Sequence, residues 1–197
     1  FVIVVTAGLM YFLGGGKTSK VVTLILLGIA MFYLLIQLVP YRFDRVRVFL
    51  NPGLDPQGAG YQVAQARIAI GSGGFFGMGF GKGVQKYQYL PEPMGDSIFA
   101  IFTEEMGFLG ASSLIGLFFF LFVKGCAIAR NAPDVFGKLL AAGIAIGIMT
   151  QAFVNMAAIS GLLPLTGIPL PFVSYGGTSL AVMLASTGIL MNISRHA

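Results

Sequence analysis

Apolar residues in this chain fall into long unbroken runs, not the alternating or every-third-residue patterns of soluble strands and helices. Positions 21–39 carry no charged residue over 19 positions, and 106–123 carry none over 18. About 20 residues at 1.5 Å each cross a bilayer's hydrocarbon layer, so both runs predict membrane-spanning helices. Positions 139–194 are uncharged over 56 residues, too many for one helix. Their middle, 160–177, holds Pro164, Pro169, Pro171 and four glycines. These break the stretch into spans over 139–159 and 172–193 with an irregular loop between. The opening 1–13 is apolar but short, and it begins without Met. No basic stretch precedes it, so it reads as the tail of a truncated span, not as a signal peptide. The pattern predicts an all-α integral membrane protein, a polytopic helical bundle of about five spans in one membrane domain over 1–197. A large loop over 40–105 would hold re-entrant or interfacial segments.

Composition agrees. Of 197 residues, 56% are apolar and 10% are Asp, Glu, Lys or Arg, against about 25% charged in a soluble domain. The mean hydropathy of +0.87 leaves too little polar side chain for a water-facing surface. A soluble enzyme, a disordered chain and a nucleic-acid reader are excluded, and the pI near 9.5 is a matter of topology. Cys126 is the only cysteine and His196 the only histidine. The chain alone therefore builds no disulfide, no cysteine zinc cluster and no Ser-His-Asp triad.

The charges divide unevenly. Lys17, Lys20, Lys124, Arg130, Lys138 and Arg195 lie on one side of the bundle with a single acid, Asp134. The other side holds Arg42, Arg45, Arg47, Arg67, Lys82 and Lys86, balanced by Asp44, Asp55, Glu92, Asp96, Glu104 and Glu105. Lys and Arg in short loops mark the cytoplasmic side. The 14–20 and 124–138 loops and the C-terminus are thus expected inside, and 40–105 outside.

Two glycine clusters invite a nucleotide reading. Gly14 to Lys17 resembles the end of a phosphate loop, but the motif's first glycine falls on Tyr11. The 71–83 stretch has seven glycines in 13 residues and no dinucleotide frame. It reads either as a close-packed turn or as an amide cradle for an anionic headgroup backed by Lys82 and Lys86. Acids at the edge of a membrane helix are costly and often functional. Asp96 is open to two readings, a helix cap or a carboxylate lining an outward cavity. Glu104 and Glu105, 100° apart on a helix, cannot share one face. In the 160–177 loop, Ser174 and Tyr175 offer hydroxyls without a base, in a packed hairpin or a wet cavity. Gln151 and Asn155, one turn apart, are expected chiefly to bond neighbouring helices.

Five motifs, in order, resemble one family. They are YRFDRVRVFLNP at 41–52 with DPQGAGYQ at 55–62, IAIGSGG at 68–74, LPE at 90–92 with DSIFA at 96–100, EEMGFLG at 104–110, and GLLPLTGIPLPFVSYGG at 161–177. Together they look like the SEDS peptidoglycan polymerases, the FtsW/RodA/SpoVE family. PEPMGD at 91–96 is closest to the division branch, FtsW, and the sporulation branch is similar. Members have about ten spans, so the chain resembles a C-terminal half. Arg67 departs from the pattern, standing where many members have a small or apolar residue.

The resemblance implies a glycosyltransferase that polymerises lipid II, the undecaprenyl diphosphate-linked disaccharide-pentapeptide, at the outer face of the bacterial cytoplasmic membrane during division. It assigns the essential acid to Asp96. Substrate binding would fall to Lys82, Lys86, Arg67, Glu92, Glu104, Glu105, Ser174 and Tyr175. A divalent cation, Mg or Mn, held by the outer acids is a further expectation. A class B penicillin-binding protein transpeptidase, other division proteins and membrane lipid are the implied partners, with no nucleic acid. Two other classes stand beside this reading. A lipid II flippase would place ionisable groups near the midplane, and a non-catalytic division scaffold would tolerate loss of Asp96.

Overall fold

In a computed structural model, described for residues 2–38, 40–55, 58–85 and 94–196, every regular element is helical. The order is α1 (Val2–Leu13), α2 (Thr18–Leu38), α3 (Pro40–Leu50), a 3-10 turn (Pro52–Leu54), α4 (Ala59–Ser72), α5 (Ile98–Asn131), α6 (Val135–Ile159) and α7 (Gly177–Ser194). Among the described residues, α5, α6 and α7 are long and apolar enough to cross a membrane. The span-length helix α2 has 21 residues.

The centre of the bundle is α6, which packs against α1, α4, α5 and α7. It carries alanine at 141, 142, 145, 152, 157 and 158, all buried. Lipid is as apolar as Leu, so helices associate in it through close backbone approach, which small residues permit. Gly125 of α5 faces Ala145 so closely that a side chain there would overlap it. The large residues point outward instead: Leu117, Phe119 and Phe120 on α5, Leu26 and Leu27 on α2, and Val182 and Leu184 on α7 are exposed.

Helix ends follow local chemistry. Asp134, the one acid of the basic side, is the N-cap of α6 and accepts a hydrogen bond from the Gly137 N–H at 2.8 Å. The helix stops at Gly161, left-handed at φ 78°, with the Leu162 N–H returning to the Ala157 carbonyl. The 14–16 glycine string closes α1 in a similar manner, with Gly15 left-handed at φ 80°. The Gly14 and Gly16 amides donate to the Met10 and Tyr11 carbonyls, which leaves no open phosphate cradle there.

Two segments differ in extent from the hydropathy pattern. The 40–105 region contains the helices α3 and α4, and α5 begins at Ile98, eight residues before its charge-free run. Glu104 and Glu105 therefore lie inside a helix. At the other end, 172–176 is irregular and α7 starts at Gly177.

Candidate functional site

The N-terminus of α5 is tied down from three directions. Ser97 is its N-cap residue and makes no side-chain capping bond, and Asp96 stands one position ahead, half-buried. From α4, the Gln62 Nε2 donates to Asp96 Oδ1 at 3.2 Å and to Ser97 Oγ at 3.0 Å. Ser97 is fully buried, and its hydroxyl reaches Asp96 Oδ1 at 3.5 Å. From α6, the Asn155 Nδ2 donates to the Asp96 carbonyl at 2.9 Å and the Ile168 carbonyl at 2.7 Å. From the α6–α7 loop, Ser174 Oγ donates to the Gly95 carbonyl, and the Tyr175 N–H donates to that of Met94. The Asp96 carboxylate thus meets a side chain of another helix, which is not the geometry of a cap on its own helix.

The loop itself is a tethered element. Gln151, one turn before Asn155, donates to the Pro169 carbonyl at 2.9 Å. Both amides therefore fasten the irregular 168–169 backbone, and Asn155 also ties α6 to the residue that leads into α5. Ser174 Oγ also accepts from the Leu170 N–H, closing a turn. The Tyr175 side chain is 85% exposed.

The glycine-rich segment is joined to α5 through backbone. Gly107 adopts φ 66° and ψ −165°, which breaks the helix. A break strands carbonyls before it and amides after it. The 73–79 turn meets both sets: Met78 and Gly79 donate to the Glu104 and Glu105 carbonyls, while Phe108 and Leu109 donate to those of Gly74 and Phe75. Side chains at Gly73, Gly77 or Gly107 would overlap the opposite backbone.

The two glutamates fasten the rest of the turn. Glu104 is 1% exposed, and its Oε1 accepts from the Val84 N–H at 2.9 Å; Glu105 Oε2 accepts from the Gly81 N–H at 3.0 Å. Each charge-assisted bond of this type contributes about 1.5–3 kcal/mol. The amides at 78, 79, 81 and 84 are thus occupied by protein, which removes them as a cradle for an anion. Among the described residues no three His, Cys, Asp or Glu side chains converge as a metal site.

The remaining candidates separate. Lys82 is exposed, with its aliphatic stem lying over Gly79. Arg67, also exposed, donates to the Gly161 carbonyl at 3.2 Å, and Arg45 donates to that of Leu165 at 2.9 Å. Both brace the turn after α6, beside Val48, Phe49, Val63 and Leu163. Lys86 and Glu92 lie outside the described residues. The structure therefore ties Ser174 to Gly95 beside Asp96, joins Glu104 and Glu105 to the turn carrying Lys82, and sets Arg67, on α4, against the start of the α6–α7 loop. Gln62 and Ser97 were not singled out by pattern. The signal for Gln62 was its place as the last residue of the 55–62 motif, and for Ser97 its place in the 96–100 motif.

The chain matches, over residues 1–197, a family model described as cell cycle protein and labelled for FtsW, RodA and SpoVE. Stage V sporulation protein E of Bacillus subtilis is 45% identical over 100% of this chain and 54% of its own length. The probable peptidoglycan glycosyltransferase FtsW of Trichlorobacter lovleyi is 50% identical over 78% of this chain and 40% of its own. Peptidoglycan glycosyltransferase MrdB of Escherichia coli is 44% identical over 79% of this chain and 42% of its own. The chain thus spans about half the length of the curated relatives it matches. Among solved structures, a chain of a peptidoglycan synthase complex superposes with TM-score 0.77 and 28% identity, covering 98% of this chain and 54% of that one. A mutant of the Thermus thermophilus rod shape determining protein RodA gives TM-score 0.51 and 33% identity over 67% of this chain and 40% of its own. With a match that runs through every residue and a shared helical membrane fold, the chain belongs to the FtsW, RodA and SpoVE family.

Proposed function

We propose that the full-length protein polymerises lipid II, with Asp96 as the general base. The observation that carries this reading is the position of Asp96: a half-buried carboxylate, pinned by Gln62 at the start of a membrane helix and not engaged as its N-cap. The 4-hydroxyl oxygen of one GlcNAc attacks the anomeric carbon of another molecule's MurNAc. The bond from that carbon to the lipid diphosphate breaks, and the hydroxyl proton passes to Asp96. A sugar hydroxyl is a weak nucleophile, and a positioned base contributes about 10²–10⁴-fold. The departing diphosphate needs cations more than an acid, a role for Lys82 and Lys86. Glu104 and Glu105 serve by holding the turn that carries Lys82, and Ser174 and Arg67 by holding the loop beyond α6. Relatives named peptidoglycan glycosyltransferase FtsW and MrdB are 50% and 44% identical to this chain, and glycosyl transfer is the part of the proposal that these two names support. Its test is polymerisation of labelled lipid II by the full-length protein with and without the Asp96 carboxylate.

The orientation proposed is that of a bacterial inner-membrane protein with the 14–20 loop, the 124–138 loop and the C-terminus in the cytoplasm, following their excess of Lys and Arg. In a background without Cys126, cysteine at Lys82 is expected to react with an impermeant maleimide on intact spheroplasts. Cysteine at Lys138 is expected to react only after lysis. The reverse pattern would invert the site and remove the proposed chemistry from the outer face.

The same reading includes a single-span class B transpeptidase as partner, alongside other division proteins. Ser112 and Gly116, four apart on α5, are exposed, and Gly116 has open space around it. A small-residue face of this kind admits a neighbouring helix closely. Copurification of such a transpeptidase in mild detergent is expected, and Gly116→Leu is expected to weaken it. Unchanged recovery with the Leu variant would place the partner on another face.

A further inference from the structure

We propose that Gln62 is a positioning residue for the reaction, holding the Asp96 carboxylate ionised and in one rotamer; this rests on the reading of Asp96 as the base. The argument begins with donor count. A Gln side-chain amide has two N–H groups, and here the single Nε2 reaches two acceptors, Asp96 Oδ1 at 3.2 Å and Ser97 Oγ at 3.0 Å. An inverted amide would set its oxygen against a carboxylate oxygen, so the pair of contacts fixes which end of Gln62 faces α5. Ser97 completes a closed triangle, since its own hydroxyl lies 3.5 Å from the same Oδ1. Ser97 is fully buried, so the triangle has a solid wall on one side.

The backbone is held independently. Asn155 grips the Asp96 carbonyl, and Ser174 and the Tyr175 N–H grip the two carbonyls before it. These described contacts onto 94–97, from α4, α6 and the α6–α7 loop, come from uncharged groups. The main chain is fastened by α6 and the loop, and the contact from α4 falls on the side chain. A hydrogen bond donated to the ionised form of an acid favours that form. A base must be ionised to accept a proton, so this donor extends activity toward lower pH.

The test measures lipid II polymerisation against pH in the full-length protein for Gln62→Leu and Gln62→Glu. Leu removes both donors at similar size, and Glu sets a second carboxylate beside the first. The acid limb is expected to move to higher pH, by about 0.5–1 unit for Leu and further for Glu. Below the limb the Leu variant is expected to lose about three- to tenfold in kcat with little change in KM, the factor that a shift of this size produces, and the loss is expected to vanish as pH rises past the limb. The position of the limb does not depend on how much enzyme folds, so partial misfolding cannot imitate the shift. An unmoved limb would overturn the proposal. Monodisperse variants inactive at every pH would overturn it in favour of direct substrate contact. Failure of both variants to fold would reassign Gln62 as a structural tie. Asp96→Asn separates the two levels: if that variant stays active the base assignment falls, and if it is inactive while the Gln62 limb stays put, only the positioning role falls.

Discussion

Asp96→Asn is expected to reduce lipid II polymerisation on the order of 10²-fold or more while leaving expression and membrane insertion intact. Asn has nearly the same shape, and its side-chain oxygen still accepts from the Gln62 amide. Asn also caps helices about as well as Asp, so a residue that served only the end of α5 would tolerate the change. What disappears is the basic carboxylate, whose contribution as a proton acceptor is about 10²–10⁴-fold. The measurement is glycan strand length and initial rate from labelled lipid II with the purified full-length protein. Near-parental polymerisation would refute the base assignment. It would leave the polar cluster at 94–97 as a device for anchoring the α6–α7 loop. The same variant also separates the scaffold alternative, in which the partner is still recruited and polymerisation by this protein was never required.

Much of the bundle was legible because membrane helices announce themselves through what they lack. Runs without charge over 18 residues or more mark α2, the middle of α5, and the α6–α7 pair. Prolines and glycines in 160–177 mark where helix must yield to loop. What pattern misses is any residue whose partner is remote in sequence. Glu104 and Glu105 looked like the edge of the membrane because charge ends an apolar run. Their place on a helix was legible, but not what their carboxylates meet, which are amides 20 and 24 positions earlier in the chain. The α5 break escaped for a related reason. A lone glycine inside an apolar stretch reads as an ordinary helical residue, and only the opposing turn shows that Gly107 takes φ 66°. Gln151 and Asn155 were legible as a polar pair on one face, but the identity of their acceptors, the 168–169 carbonyls, depends on how the loop folds back. The catalytic candidate was legible through family motifs, and its support from α4 emerged only from contact geometry.

Gly77→Ala is expected to prevent the outer half of the bundle from assembling. Gly77 lies at φ 83°, and a methyl group there would run into the Glu105 carbonyl and the Gly107 amide. The left-handed conformation alone costs about 1–2 kcal/mol for an L-residue, and overpacking against immobile backbone adds about 1–3 kcal/mol. Neither neighbour can step aside. The Glu105 carbonyl accepts from the Gly79 N–H, and the 108 and 109 amides beyond Gly107 are bound to the same turn. Separating the two strands of this splice would also withdraw the amides that stabilise the buried Glu104 and Glu105 carboxylates, so the cost propagates. Gly81→Ala is the internal control. Its φ is similar at 80°, yet nothing lies within 4 Å of the added carbon, so only the conformational cost applies, about 1–2 kcal/mol. The full-length Gly77 variant is expected to aggregate or fail in detergent size-exclusion, while the Gly81 variant remains monodisperse with a modestly lower melting temperature. Equal melting temperatures for the two would mean that the turn and α5 are not joined as described. Lys82 would then have no fixed position relative to Asp96.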